Sequence, residues 1–255
     1  MGGLGRCLGL DAATETSSFF WVPLPFAIRG LDPSVWSLAG SKMTQDSVKS
    51  SRQSAHLERR RAALIASAQD TLAERGPEAT IEELADSAGV SIATLYKHFG
   101  SKEGLLAAAI VDVQQRWEAW MAEAVADLPT EIEQFVAAAR LGVRGHEFQP
   151  EFARIGLSVL RTTPIDLDVL TVDLGARVER LAADGVIRID QIERRTRLFL
   201  ACLVDEFIRQ GSLPKPKPDE ADAVVEVALS LMGFTPARAR KLVKAPLPPL
   251  GGPSQ

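Results

Sequence analysis

Residues 80–106 of the chain read TIEELADSAGVSIATLYKHFGSKEGLL. Thr80 is followed three residues later by Glu83, the capping-box spacing in which a hydroxyl accepts from a first-turn amide and a carboxylate reaches back to the cap. Ile81, Leu84, Ala85 and Ala88 then recur on one helical face. Gly89 supplies the left-handed residue that ends such a helix, Val90 fills the space between helices, and Ser91 can cap the next one. That next helix, IATLYKHF, is barely two turns long, with Leu95 and Phe99 four apart and facing inward. Gly100 stops it, and Ser101 caps a longer segment, KEGLLAAAIVDVQQRWEAWMAEAVADL, either continuous or kinked. Two short helices joined by a tight glycine turn make a helix-turn-helix, whose second helix is the one that enters a DNA major groove.

Burying Leu95 and Phe99 leaves Ile92, Ala93, Thr94, Tyr96, Lys97 and His98 at or near the surface. Thr94 can donate or accept, and its methyl can touch thymine. Lys97 can reach a phosphate or a guanine edge, and Tyr96 and His98 can hydrogen-bond phosphates. Thr80 and Lys102 stand at helix starts, where free amides suit phosphate. Each has a plainer alternative: Tyr96 covering the core, His98 packing or capping, Lys102 solvated. The cluster is stronger than any member.

Working outward, HLERRRAALIASAQDTLAERG places Leu57, Leu64, Ile65, Ala68 and Leu72 on one face of a helix starting near Ser54 and stopped by Gly76 and Pro77. Arg59, Arg60 and Arg61 lie beside the DNA backbone or form a solvated face. On the other side, helical periodicity runs from about Thr130 to Gly233. The candidate helices are TEIEQFVAAARLGVRG, PEFARIGLSVLRTT, IDLDVLTVDLGARVERLAADG, IDQIERRTRLFLACLVDEFIRQG and, after the linker SLPKPKPDE, ADAVVEVALSLMG. Residues 1–50 have no period and read as a disordered extension, with Met43 a possible true start; a real arm or an inert tail are the alternatives. Residues 244–255, rich in proline and glycine, read as a flexible tail.

The net charge of −4 argues against non-specific coating of nucleic acid but leaves room for DNA binding through one basic face. Cys7 and Cys202 are too far apart in sequence for a zinc motif, which suits a reducing, cytoplasmic setting. No apolar run is long enough to span a membrane, and FFWVPLPFAI is short, broken by prolines and a poor signal peptide. His56, His98 and His146 lack metal-ligand spacing, Asp205 and Glu206 point about 100° apart on a helix, and there is no phosphate loop or nucleophile elbow. An enzyme, a cofactor and a metal are therefore not expected.

The order T-I-E-E-L-A-x-x-A-G-V-S, T-L-Y-K-H-F, S-K-E-x-L-L resembles the DNA-binding domain of TetR-type transcriptional regulators, strongly over about residues 57–108. The resemblance implies an all-α homodimer: a three-helix head at 54–108, and a C-terminal helical domain at 109–243 that dimerises and holds a small-molecule pocket. It assigns the DNA contacts to Thr80, Ser91, Thr94, Tyr96, Lys97, His98 and Lys102. Ile92, Ala93, Thr94 and Lys97 would read an operator, while Tyr96, His98 and Lys102 position phosphates. Ile92-Ala93 departs from the usual pattern and weakens any guess at base preference. It also implies a dimer contact through the last two long helices, here Leu198, Leu203, Phe207, Val224, Val227 and Leu231. A mainly apolar effector of unknown identity would meet Trp117, Trp120, Phe148, Phe152 and Phe199, with Phe135 and Phe207 further candidates, unless these are ordinary core. The expected partner is a palindromic duplex operator, and the expected activity is repression relieved by ligand, with activation open. The rival is a helical dimer whose helix-turn-helix binds protein.

Overall fold

The computed structural model describes residues 48–162, 167 and 171–248, and every regular element among them is helical. Of the expected N-terminal extension, 1–47 with Met43 lies outside the described residues. Its last three positions already belong to helix α1 (Val48–Arg75).

The local signals act as expected in the head. In α2 (Ile81–Ser87) the Glu83 amide donates to the Thr80 hydroxyl at 3.2 Å, and the Thr80 amide donates to the Glu83 carboxylate at 2.9 Å. Gly89 takes φ +62°, where a side chain would be strained, and this lets the chain turn sharply into α3 (Ile92–Phe99). The Ser91 hydroxyl accepts from the Thr94 amide at 3.3 Å and starts α3. The Ser101 hydroxyl accepts from the Gly104 amide at 3.0 Å and starts α4 (Lys102–Val125), which is one continuous helix. The expected boundary at 108/109 therefore falls inside a rigid element that belongs to both halves.

Leu64, Ile65, Ala68 and Leu72 of α1 bury against Leu84 and Ala85 of α2, Leu95 of α3 and Leu105 and Ala109 of α4. Leu57, expected on the same stripe, is instead 53% exposed, because α1 has run past the small head by that point.

The body continues with α5 (Glu131–Val143), the short α6 (Gly145–Phe148), α7 (Pro150–Thr162), α8 (Val172–Ala183), α9 (Ile192–Gly211), α10 (Pro218–Ala228) and a 3-10 turn at Leu229–Met232. Every residue of α5 from Phe135 to Val143 is buried, the mark of a helix enclosed on all sides. Its Arg140 is accommodated by Asp222 at 3.0 and 2.8 Å and by the Ala245 carbonyl at 2.6 Å. Helix α9 packs on α5, α7, α8 and α10. Of the helix expected from Ile165 to Gly185, the described part is α8.

A final helix, α11 (Pro236–Val243), was not anticipated, although Thr235 as cap and Pro236 in the first turn are its signal. The start of the expected tail is held: Arg140 grips Ala245, while 249–255 lies outside the described residues.

Candidate nucleic-acid interface and effector cleft

The outer face of the head is set by what its inner face buries. Leu95 is 1% exposed, and Ile92 and Phe99 are partly buried against the same core. This turns Ala93, Tyr96 and Lys97 outward, with Thr94 and His98 half-buried beside them. Tyr96 is 46% exposed, far more than a ring serving only the core needs. Thr94 shares a 2.9 Å hydroxyl contact with Ser91, so both are held in place at the start of α3. Ser91 and Thr80 are exposed caps, and Lys102 is half-exposed at the first position of α4. All nine expected DNA residues keep accessible surface, Thr80 and Ser91 while capping helices, and Ile92 while packing against the core.

Arg61 adds a cation that the sequence left open. Its guanidinium lies 5.2 Å from the Phe99 ring centroid, which ties α1 to the end of α3. Gly104 is a residue the sequence gave no reason to single out. A Cβ there would run into the Phe99 carbonyl, so only glycine lets α3 end so close to α4.

Behind the head, α4 and the start of α7 form a cleft of about 280 Å³ lined by Arg116, Trp117, Trp120, Glu123, Gln149, Glu151 and Phe152 among others. Trp117 stacks on Phe152 at 4.3 Å with planes 7° apart, and Trp120 leans on Trp117 at 5.0 Å. Phe148 stands 6.4 Å from Trp120, just beyond the lining. Three of the five effector candidates therefore meet at one cleft and a fourth adjoins it. Phe199 does not: it is fully buried and stacks on Phe135 at 5.4 Å in the core.

A polar chain connects this cleft with the head. Gln69 of α1, 3% exposed, donates to the Ala109 carbonyl and to Asp112, each at 2.9 Å, and accepts from Arg116 at 2.9 Å. Arg116 also donates to Asp112 at 3.1 Å and lies 3.6 Å from Glu151 on the cleft wall. Helix α1 packs on both α4 and α7, so the contact is mechanical as well as polar.

The expected subunit contact divides. Leu203 and Phe207 are fully buried inside the subunit and have no surface to offer a partner, which corrects that expectation. Phe207 occupies a slot made by Gly145 and Gly156, where added Cβ atoms would come to 3.2 and 3.6 Å of its ring. It also stacks on His146 at 4.5 Å. Leu198 and Val227 are 45% and 71% exposed, and Val224 and Leu231 are half-buried. Cys202 is half-buried on the same helix as Leu198, and burial, reinforced by Asp205, pushes its thiol pKa up. Among the described residues no helix is long and apolar enough to cross a membrane, and no cluster of histidine, cysteine and carboxylate fit for a metal occurs.

An all-helical body carrying a helix-turn-helix head at its N-terminal side is the architecture of a DNA-binding regulator. Residues 64–109 match the model of the bacterial regulatory proteins of the tetR family, so the head described above is similar to that family's helix-turn-helix domain. It is 29% identical over 150 residues to the HTH-type transcriptional regulator RutR of Escherichia coli K12, spanning 55% of this chain and 68% of RutR. The structure of RolR in complex with resorcinol superposes with a TM-score of 0.57 at 24% identity, over 76% of this chain and 97% of that one. A TetR-family regulator from Pectobacterium atrosepticum gives 0.51 at 21% identity, over 76% and 96%. At these identities the structural likenesses speak for the fold alone.

Proposed function

We propose that the protein is a homodimeric repressor that reads a palindromic operator through α3 and leaves it when a small, mainly apolar ligand enters the Trp117–Trp120–Phe152 cleft. The carrying observation is the outer face of α3, where Tyr96 and Lys97 stand exposed over a fully buried Leu95. Ala93, Thr94 and Lys97 meet base edges, with Ile92 packing behind them. Thr80, Ser91, Tyr96, His98 and Lys102 hold phosphates and so set the register.

Dimerisation rests on exposed Leu198 and Val227 with half-buried Val224 and Leu231 beside them, an apolar surface that suits a self-complementary contact between α9, α10 and the following 3-10 turn of two subunits. Two heads about 34–36 Å apart would meet successive major grooves on one side of the duplex. The release step is linkage: a ligand moves the equilibrium only by its preference for the form that does not fit DNA. Gln69 and Arg116 supply a route, because they tie the cleft wall to the helix that carries the head.

Selection of sites from random duplex DNA with the full chain, at one stated salt concentration, tests this directly. A two-fold symmetric motif is the expected result. Recovery of unenriched sequence by protein freed of small molecules would overturn sequence-specific reading.

A further inference from the structure

The charges around the cleft say more about its occupant than its size does. Three groups there are ionisable: Arg116, Glu123 and Glu151. Arg116 is already matched by Asp112 at 3.1 Å and engaged by Gln69, and it holds Glu151 only at 3.6 Å. Glu123 makes no ion pair among the described residues. The cleft therefore presents more carboxylate than its guanidinium can neutralise.

The aromatic walls act in the same direction. The face of an indole ring is negative, and it attracts a cation most strongly when water is excluded. Trp120 is half-exposed at the cleft, with Trp117 fixed behind it against Phe152. An anionic ligand would meet repulsion from both the ring faces and the carboxylates. A cation would find both favourable. The volume of about 280 Å³ suits one or two fused rings.

We propose that the cleft takes a flat aromatic cation, with its ring on Trp120 and its protonated nitrogen toward Glu123 and Glu151. This rests on the cleft being the effector site and narrows that site to a chemical class. A cation at Glu151 competes with Arg116 for the same carboxylate, so binding alters the chain of contacts that ends at Gln69.

Calorimetric titration of the full chain with three indole probes of similar size tests it: tryptamine, a cation at neutral pH; tryptophol, neutral; and indole-3-propionate, an anion. Tryptamine is expected to bind at least tenfold more tightly than tryptophol, and the propionate most weakly. Glu123→Gln with Glu151→Gln should bring tryptamine down to the tryptophol value and leave tryptophol unchanged, while Trp120→Ala should weaken both. Thermal unfolding of each variant establishes that it is folded. Equal affinities, or a preference for tryptophol or the propionate, would overturn the cationic class while leaving the cleft as a site. Tryptamine binding that ignores Trp120→Ala, or no binding by any probe, would overturn the cleft itself. Operator selection needs no ligand, so the DNA reading stands or falls separately.

Discussion

Replacing Gly104 by alanine sets two effects of opposite sign against each other. Gly104 lies in the first turn of α4, and by helix propensity alone Gly→Ala stabilises a helix interior by about 0.8–1 kcal/mol. Here the new methyl would collide with the Phe99 carbonyl, a main-chain atom at the end of α3 that has no rotamer in which to escape. Either α3 or the start of α4 must shift, and overpacking of this kind costs about 1–3 kcal/mol. The net expectation is a loss of up to about 2 kcal/mol, the difference between those two ranges. Gly175 in α8 is the matched control, since a Cβ there meets nothing within 4 Å. Gly175→Ala should therefore raise stability by up to about 1 kcal/mol. Urea unfolding gives both signs, and the ratio of operator to non-operator affinity reports on α3. Gly104→Ala should lower that ratio at least tenfold, because α3 carries the reading side chains, and Gly175→Ala should leave it alone. A stabilised Gly104→Ala protein with full operator preference would refute the packing argument.

Asp222→Ala leaves Arg140 and Arg144 side by side, 8% and 13% exposed, without their shared carboxylate; urea unfolding should register a loss of about 3–5 kcal/mol. Burial holds the His146 imidazole below its usual 6.5, opposed in part by its hydrogen bond to the Phe207 carbonyl. The unfolded chain therefore takes up this proton first, so stability is full above about pH 6.5 and falls as pH drops through that value toward the folded pKa. The difference in unfolding free energy between wild type and His146→Gln, followed from pH 7.5 to 5 (about the range in which histidine titrates), should shrink, and parallel profiles would contradict it. Leu198→Arg with Val227→Arg changes two exposed positions, so each subunit should keep its fold, while sedimentation should report monomers and operator affinity should fall more than 100-fold. Retention of the dimer would remove this face from the account.

The head was legible because its signals are local. Thr80 with Glu83, Gly89, Ser91 and Ser101 each act within a few residues, and all four junctions formed as their chemistry required. The body was less legible because periodicity names a face without saying what covers it. Leu57 continued the α1 stripe into solvent, and the apolar run Leu198–Val204 wraps several faces of α9, so inward Leu203 could not be told from outward Leu198. Phe207 is drawn inward by Gly145 and Gly156, more than fifty residues upstream. Gln69 carries a fainter signal: a glutamine beside Ile65, Ala68 and Leu72 on a buried stripe is a sign of a polar contact inside.

If α3 reads sequence while the surrounding helix starts hold phosphate, base preference and salt dependence separate in the variants. The most direct measurement is equilibrium binding of the selected operator and a scrambled duplex across a salt series, for wild type, Lys97→Ala and Lys102→Ala. Wild-type affinity should fall steeply with salt for both duplexes and favour the operator throughout. Lys97→Ala should lose most of that preference, whereas Lys102→Ala should weaken both duplexes alike and reduce the salt slope by about one. Affinity indifferent to salt, or a Lys97→Ala protein with undiminished preference, would contradict the account.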